Sequence, residues 1–460
     1  MKLHIIAISG TATASLAAIL LEKGFKISGS DRNFYPPMGD FVKSLPVKLS
    51  EGFSRENIDK NHPLDGVIAG NLVSSSNPEV ERAIELGLEI YSLPEALYHF
   101  AMKNKKRIVV AGTHGKTTTS SLLAWSMEVA GLNPGFLIGG MPLNFGRSGR
   151  AGKKWFIVEG DEYETSFFDK GPKFSHYFPN YLILGPVEMD HYDIYENLED
   201  IKKSFSLLVS LVPSSGLIIS YNNPVNREIL EKARAEVVLY PTAELHYETL
   251  KNTENFLSFN LKIKDDYIKN LRSEVASSTI AINSLPVAYL LYHLGFGPKI
   301  IKKTINSFKG IKRRMELILK GKNFYFFTDF AHHPTSSRLN LKDLRSRFQD
   351  WKIISILEPA SWSMRSNVFE KDLPEALSSA DFIILAPPPK GALKKGIPLN
   401  RKNVCEALKK MGKNCVHPES WEEIYEILNE LPEDNNVIVL FSNGNIDEKV
   451  GRIKDILKSH

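Results

Sequence analysis

Short apolar runs alternate with longer amphipathic stretches along the whole chain. Runs such as WFIV at 155–158 and YLIL at 181–184 are too short for helices and end in polar residues, so they read as strands buried on both faces. Strands that alternate with helical stretches predict an α/β architecture with parallel sheets. The pattern falls into three blocks. The first, residues 1–103, predicts a strand at Leu3–Ser9, a helix from Ser15 to Lys23 and a strand at Phe25–Ser28 that ends in Gly29-Ser30-Asp31. The second, 104–313, opens within the basic segment KNKKR, with a strand at Arg107–Ala111 and a helix from Lys116 to about Ala130 that closes at Gly131. The third, 314–460, predicts strands at Phe324–Phe327, Ile353–Leu357, Phe382–Leu385 and Val437–Phe441.

Length agrees with three units, since 460 residues at about 100–200 per domain gives roughly three. Apolar residues at 43% and charged residues at 24% exclude a disordered or fibrous chain. The net charge of +5 arises from 58 basic and 53 acidic side chains that are interleaved, so no nucleic-acid surface is expected. No apolar run reaches the roughly 18 residues of a membrane span. The opening MKLHIIAISGTATASLAAILL resembles an export signal in outline, but His4 and Gly10 interrupt it and a second strand follows; no export is expected. Cys405 and Cys415 lie away from any histidine-rich cluster, so neither a zinc site nor a disulfide is expected, and a reducing cytoplasm fits.

Candidate chemistry centres on IVVAGTHGKTTTSS at 108–121. A strand, a tight turn and a helix bring successive backbone N–H groups and a helix N-terminus to one point, which binds phosphate. Gly112, Thr113, His114, Gly115, Lys116, Thr117 and Thr118 form the candidate nucleotide loop. It is two residues shorter than the common P-loop, whose first glycine would fall at Val110. Lys116 supplies a point charge for the β/γ oxygens and the Thr117 hydroxyl a ligand for Mg²⁺. Acids follow two nearby strands: Glu159, Asp161, Glu162 and Glu164 after WFIV, and Glu188 and Asp190, with His191, after YLIL. Ligands of open α/β sheets bind beyond the strands' carboxyl ends, and hard Mg²⁺ prefers carboxylate oxygen. Glu159 and His191 are therefore the candidate metal ligands, and the later acids after WFIV read as a solvated loop. In the first block Asp31 stands about twenty residues after the Ser9-Gly10-Thr11 turn, the ribose-binding arrangement of dinucleotide folds. Only one of three fingerprint glycines is kept, which argues against hydride transfer and leaves a nucleotide-like ligand.

These features resemble the Mur ligases, which form the amide bonds of peptidoglycan through acyl phosphates. GTHGKTTT is that family's shortened loop. GSDRNFYPPM at 29–38, GNLVSSSNPEVE at 70–81, PGFLIGGMPLNFG at 134–146 and EGDEYETSFFDKGPKFSHYFP at 159–179 are similar to one branch of the family. That branch joins recycled L-alanyl-γ-D-glutamyl-meso-diaminopimelate to UDP-N-acetylmuramic acid. The resemblance implies a Rossmann-like N-terminal domain, a P-loop-type central ATPase domain and a Rossmann-like C-terminal domain. It also implies ATP and Mg²⁺ as cofactors, and UDP-N-acetylmuramic acid with a peptide or amino-acid amine as partners. The expected setting is cytoplasmic, without membrane or nucleic acid, as a monomer or weak homo-oligomer. Lys116, His191, Arg314 in GIKRRME and Asp329 in TDFAHHPT are the implied catalytic set, with Asn283 near the adenine. Ser9, Gly10, Thr11, Ser30, Asp31, Asn71 and His332 are the implied substrate contacts, and Thr117, Glu159 and His191 the implied metal ligands.

Several positions depart from the family's pattern. Ala7, Ser9 and Ala14 replace first-domain glycines, Thr279 and Ile280 replace the first two polar residues of H-N-x-x-N, and Pro186 replaces an asparagine. Ala360 replaces an arginine in the string Glu358-Pro359-Ala360, and Asn445-Ile446-Asp447 stands where a glycine-rich loop is usual. Two other readings therefore stand beside the peptide ligase: a ligase for L-alanine, and a relative that binds nucleotide or precursor with little turnover.

Overall fold

The computed structural model describes residues 1–460 apart from 36–37, 191–193, 276, 392, 394–395, 433 and 460. Its first sheet contains β1 (Lys2–Ile6), β2 (Lys26–Asp31), β3 (Lys48–Glu51), β4 (Gly66–Ala69) and β5 (Ile90–Ser92), in the order β3-β2-β1-β4-β5. All neighbours are parallel. Strand order reverses at β1, so a crevice opens beyond its carboxyl end between β2 and β4. That is where the helix Thr11–Glu22 begins.

The central sheet has the order β12-β11-β10-β6-β9-β7-β8. Its members are β6 (Lys106–Ala111), β7 (Gly135–Leu137), β8 (Gly149–Arg150), β9 (Trp155–Glu159), β10 (Tyr181–Leu184), β11 (Leu217–Tyr221) and β12 (Glu236–Tyr240). Ile108, Val109, Val110, Ile157 and Ile183 are buried, as expected of strands covered on both faces. β6 lies between β9 and β10. Whatever follows β6 is therefore flanked by whatever follows the other two.

An antiparallel sheet of β13 (Leu245–Asn252), β14 (Leu257–Ile263) and β15 (Asp266–Ser273) packs Leu257, Phe259 and Leu261 into the central core. The expectation of parallel sheets throughout does not extend to it. In LHYETLKN only Leu245 is buried, so the local pattern lacks the apolar run that marks the other strands.

The third sheet has the order β16-β17-β21-β18-β19-β20. It comprises β16 (Glu316–Lys320), β17 (Phe324–Asp329), β18 (Lys352–Leu357), β19 (Phe382–Leu385), β20 (Asn414–Val416) and β21 (Asn436–Phe441), parallel except for β16. The helix Arg401–Lys410 packs beside β20 and brings the Cα atoms of Cys405 and Cys415 to 5.2 Å, where the sulfurs are bonded. The expectation of unpaired cysteines is corrected by this contact, since a helix and the strand after it can close a short loop. Among the described residues, no helix is long and apolar enough to cross a membrane.

Candidate active site

The turn after β6 is shaped by glycine. Gly112 and Gly115 have φ of 122° and 80°. A Cβ on Gly112 would lie 2.9 Å from the Gly185 backbone, and one on Gly115 would lie 2.8 Å from Asn283 Oδ1. Bare backbone at both places lets the turn settle between the end of β10 and the helix Thr279–His293. The Thr113 N–H donates to the Pro186 carbonyl at 2.8 Å, so proline at that position still anchors the loop through its backbone. The helix Lys116–Val129 then starts directly after the turn, with Gly115 as its N-cap, so its N-terminus lies beyond the carboxyl end of β6, the arrangement that attracts phosphate. Thr118 is half-buried in its first turn.

Lys116 and Thr117 each meet an acid from the end of β9. Lys116 Nζ lies 3.0 Å from both carboxylate oxygens of Glu162 and donates to the Gly112 carbonyl at 2.7 Å. Thr117 donates to Glu159 Oε2 at 3.1 Å, and the Gly139 N–H to Glu159 Oε1 at 2.8 Å. Burial raises the Glu159 carboxyl above its ordinary value, partly offset by the Gly139 N–H, Lys116 and Arg314. A half-buried carboxylate bonded to a hydroxyl and influenced by two cations fits a site built for oxygen ligation of Mg²⁺ beside phosphate. His191, the third expected metal ligand, lies outside the described residues.

The third domain closes the other side. Asp329, at the end of β17, is 4% exposed. It accepts the Met315 and Ala331 N–H groups at 2.8 Å each. Burial pushes its carboxyl upward, with Arg314 the main counterweight. The charge of Arg314 lowers the Glu159 carboxyl as well, so one guanidinium influences acids from two domains. It stacks over Phe330 at 5.0 Å. Arg313 instead donates to the Ser442 and Gly444 carbonyls at 2.8 and 2.7 Å. His332 is half-buried, its Nδ1 3.2 Å from the Phe330 carbonyl.

The first-domain crevice gathers most of its expected residues. Ser9 follows β1, Gly10 and Thr11 open the helix, and Asn71 is exposed just beyond β4. Asp31 Oδ2 accepts both the N–H (2.9 Å) and the hydroxyl of Ser9. Ala7 has φ of 61°, a conformation suited to the glycine it replaces. The Ser30 hydroxyl is fully buried and donates to Glu79, so its side chain is engaged away from the crevice, while Asp31, the last residue of β2, stays at the rim.

One other expectation changes. Glu162 is no solvated acid, being 3% exposed and paired with Lys116. Ile280 is buried in the central core, the packing role expected of an apolar side chain in place of an amide, while Asn283 lies against Gly115 of the loop. Gly139 carries no sequence signal strong enough to single it out, whereas Glu188 is among the acids expected beyond β10. Gly139 acts through its backbone, and Glu188 bonds His114 across two loops.

Three family models match the chain: the Mur ligase catalytic domain over 2–105, the Mur ligase middle domain over 110–291, and the Mur ligase glutamate ligase domain over 313–444. The UDP-N-acetylmuramate–L-alanyl-gamma-D-glutamyl-meso-2,6-diaminoheptandioate ligase of Escherichia coli K12 is 32% identical over 455 residues, covering 96% of this chain and 95% of that protein. The UDP-N-acetylmuramate–L-alanine ligase of Carboxydothermus hydrogenoformans is 28% identical, covering 97% and 95%. The crystal structure of a murein peptide ligase from Psychrobacter arcticus superposes with a TM-score of 0.70 at 27% identity, covering 100% of this chain and 98% of that one.

Proposed function

The chain belongs to the Mur ligase family, and from that premise we propose that it joins the lactyl carboxylate of UDP-N-acetylmuramic acid to the free amine of L-alanyl-γ-D-glutamyl-meso-diaminopimelate at the expense of ATP. The carboxylate oxygen attacks the γ-phosphorus, ADP leaves and an acyl phosphate forms. The amine nitrogen then attacks the acyl carbon, phosphate leaves and the nitrogen gives up a proton. Lys116 and the N-terminus of its helix offset charge on the β/γ oxygens. Magnesium, held by Thr117 and Glu159, would supply further positive charge to the same oxygens. Arg314 stabilises the transferring group from the third-domain side. Ser9, Asp31 and Asn71 orient the uridine diphosphate sugar in the first-domain crevice, and His332 lies on the amine's side.

The observation that carries this reading is that the third domain reaches the phosphate loop, with Ser336 Oγ 3.4 Å from His114 Nδ1 and the charge of Arg314 acting on both Glu159 and Asp329. It makes the site composite, so turnover requires closure and water is excluded while the acyl phosphate exists. The peptide rather than L-alanine is supported by the 32% identity to a peptide ligase over nearly the whole chain.

Phosphate release from ATP, Mg²⁺ and UDP-N-acetylmuramic acid tests the reading, measured with tripeptide, with L-alanine and with no amine. Release with tripeptide only is expected. Release with L-alanine only would choose the L-alanine ligase, and sugar-nucleotide binding without amine-dependent release would choose the binding relative.

A further inference from the structure

The phosphate loop and the third domain also meet at a place that amide-bond chemistry leaves unused. His114 of the loop, Glu188 beyond β10 and His333 at the cap of the helix Pro334–Arg347 each present one ligand atom, all within 4.8 Å of one another. His114 Nε2 contacts Glu188 Oε1, and His333 Nδ1 lies 3.5 Å from that same oxygen. The two imidazole centroids are 5.1 Å apart.

The helix cap holds the His333 ring in place. Its Nδ1 accepts the Thr335 N–H at 3.2 Å as the helix cap, so that nitrogen carries the lone pair and is the one that can turn to a metal. Glu188 Oε1 thus lies between the two imidazoles, in contact with His114 Nε2 and 3.5 Å from His333 Nδ1. Asp190 adds a second negative charge facing His333.

We propose that His114, Glu188 and His333 form a binding site for a zinc-type divalent transition metal that ties the phosphate loop to the third domain. Two imidazoles and one carboxylate, with water in the fourth place, are a common zinc donor set. Zinc bonds of about 2.0–2.1 Å in a tetrahedron put donors roughly 3.4 Å apart, which the His333–Glu188 pair already meets at 3.5 Å. Binding needs only that His114 turn off its direct contact with Glu188 and that the long Thr335 cap bond give way. The three side chains are 20%, 39% and 10% exposed, enough for an ion to enter from solvent. Nitrogen donors disfavour hard Mg²⁺, so the site is chemically distinct from the one at Thr117 and Glu159.

The test is calorimetric titration of Zn²⁺ into the metal-stripped full chain in excess Mg²⁺, with Co²⁺ absorption spectroscopy reporting nitrogen ligation. One Zn²⁺ per chain is expected. Glu188→Gln from the central domain and His333→Ala from the third should each weaken it at least about tenfold. His333→Asn preserves a capping side chain and removes the imidazole, so loss of binding there cannot be blamed on the helix. Absence of stoichiometric binding, or binding undiminished in both Glu188→Gln and His333→Asn, overturns the proposal.

Discussion

The Lys116 ammonium lies 3.0 Å from both carboxylate oxygens of Glu162, a side chain that is 3% exposed. The lysine expected to bind phosphate is thus held by a buried acid before any nucleotide arrives. Glu162 keeps Nζ over the loop and compensates its charge, and incoming phosphate competes with that carboxylate for it.

Lys116→Ala should abolish ATP-dependent phosphate release, and it should also destabilise the protein by roughly 1–3 kcal/mol by leaving Glu162 buried without its partner. Adding Glu162→Gln should recover most of the stability and none of the turnover. Denaturant melts combined with the phosphate assay check this. Turnover retained in Lys116→Ala would remove the phosphate site from this loop.

Gly140→Ala tests the metal end of the site. A Cβ there would lie 2.8 Å from Thr117 Cγ2 and 2.9 Å from Ile311 Cγ2, so Thr117 must shift away from Glu159, its partner at 3.1 Å. The Mg²⁺ concentration for half-maximal rate should rise roughly tenfold. Burial raises the Glu159 carboxyl, and the metal needs it ionised. The Mg²⁺ requirement should therefore also grow as pH falls, in wild type as in the variant. A Mg²⁺ dependence that ignores both changes would take Glu159 out of the ligand set.

Legibility followed distance along the chain. Gly112 to Thr117 could be read because one strand, one turn and one helix fix their geometry locally. Glu159 could be read because an acid directly after a buried strand has one place to go. Glu162 could not: three residues further, the same chemistry reads as solvated. Its burial depends on packing supplied from elsewhere, including Tyr195, whose hydroxyl donates to the Glu162 carbonyl at 2.8 Å. The functional weight placed on Arg314, Asp329 and Asn283 came from family resemblance, since nothing in their local sequence tells that Asn283 rests on Gly115. The Cys405–Cys415 bond and the sheet β13–β15 depended on tertiary pairing that neither spacing nor hydropathy carries.

The first domain holds a buried polar cluster whose pH dependence can be worked out. Glu79 and His4 are fully buried. Glu79 accepts from Asn57 at 2.6 Å, from Ser30, from the Ser54 N–H at 3.3 Å and from His4 at 3.4 Å. Burial pushes its carboxyl upward, but the bonds from His4, Ser30 and Asn57 outweigh that and hold it below the ordinary 4.5. A depressed carboxyl stabilises above its unfolded value and loses that contribution as pH falls through the folded one. Glu79→Gln should cost roughly 1–3 kcal/mol at pH 7. The gap to wild type should narrow below about pH 4.5, where the unfolded glutamate begins to take up protons. Denaturant melts at pH 7 and pH 4 check the sign; a gap that widens in acid would contradict it.

Closure has its own test at the far end of the helix Pro334–Arg347. Asp343 is 5% exposed and accepts from Asn252 at 2.9 Å and from the Ser278 N–H, both in the central domain. Arg347, one turn on, donates to the Val275 carbonyl at 3.0 Å. These contacts fix the start of the helix that carries Asn283, and Asn283 lies against Gly115 of the phosphate loop. A third-domain side chain therefore braces the nucleotide loop without touching it. Asp343→Ala should open the domains, raising the radius of gyration by X-ray scattering in the presence of ATP analogue and Mg²⁺. It should also raise the KM for ATP and lower kcat by about tenfold each, near 1.4 kcal/mol apiece. Asp343→Asn keeps an oxygen acceptor for Ser278 and should recover most of both effects. A purely local packing role would lower stability and leave the scattering curve and the KM for ATP unchanged, and that result would detach this contact from catalysis.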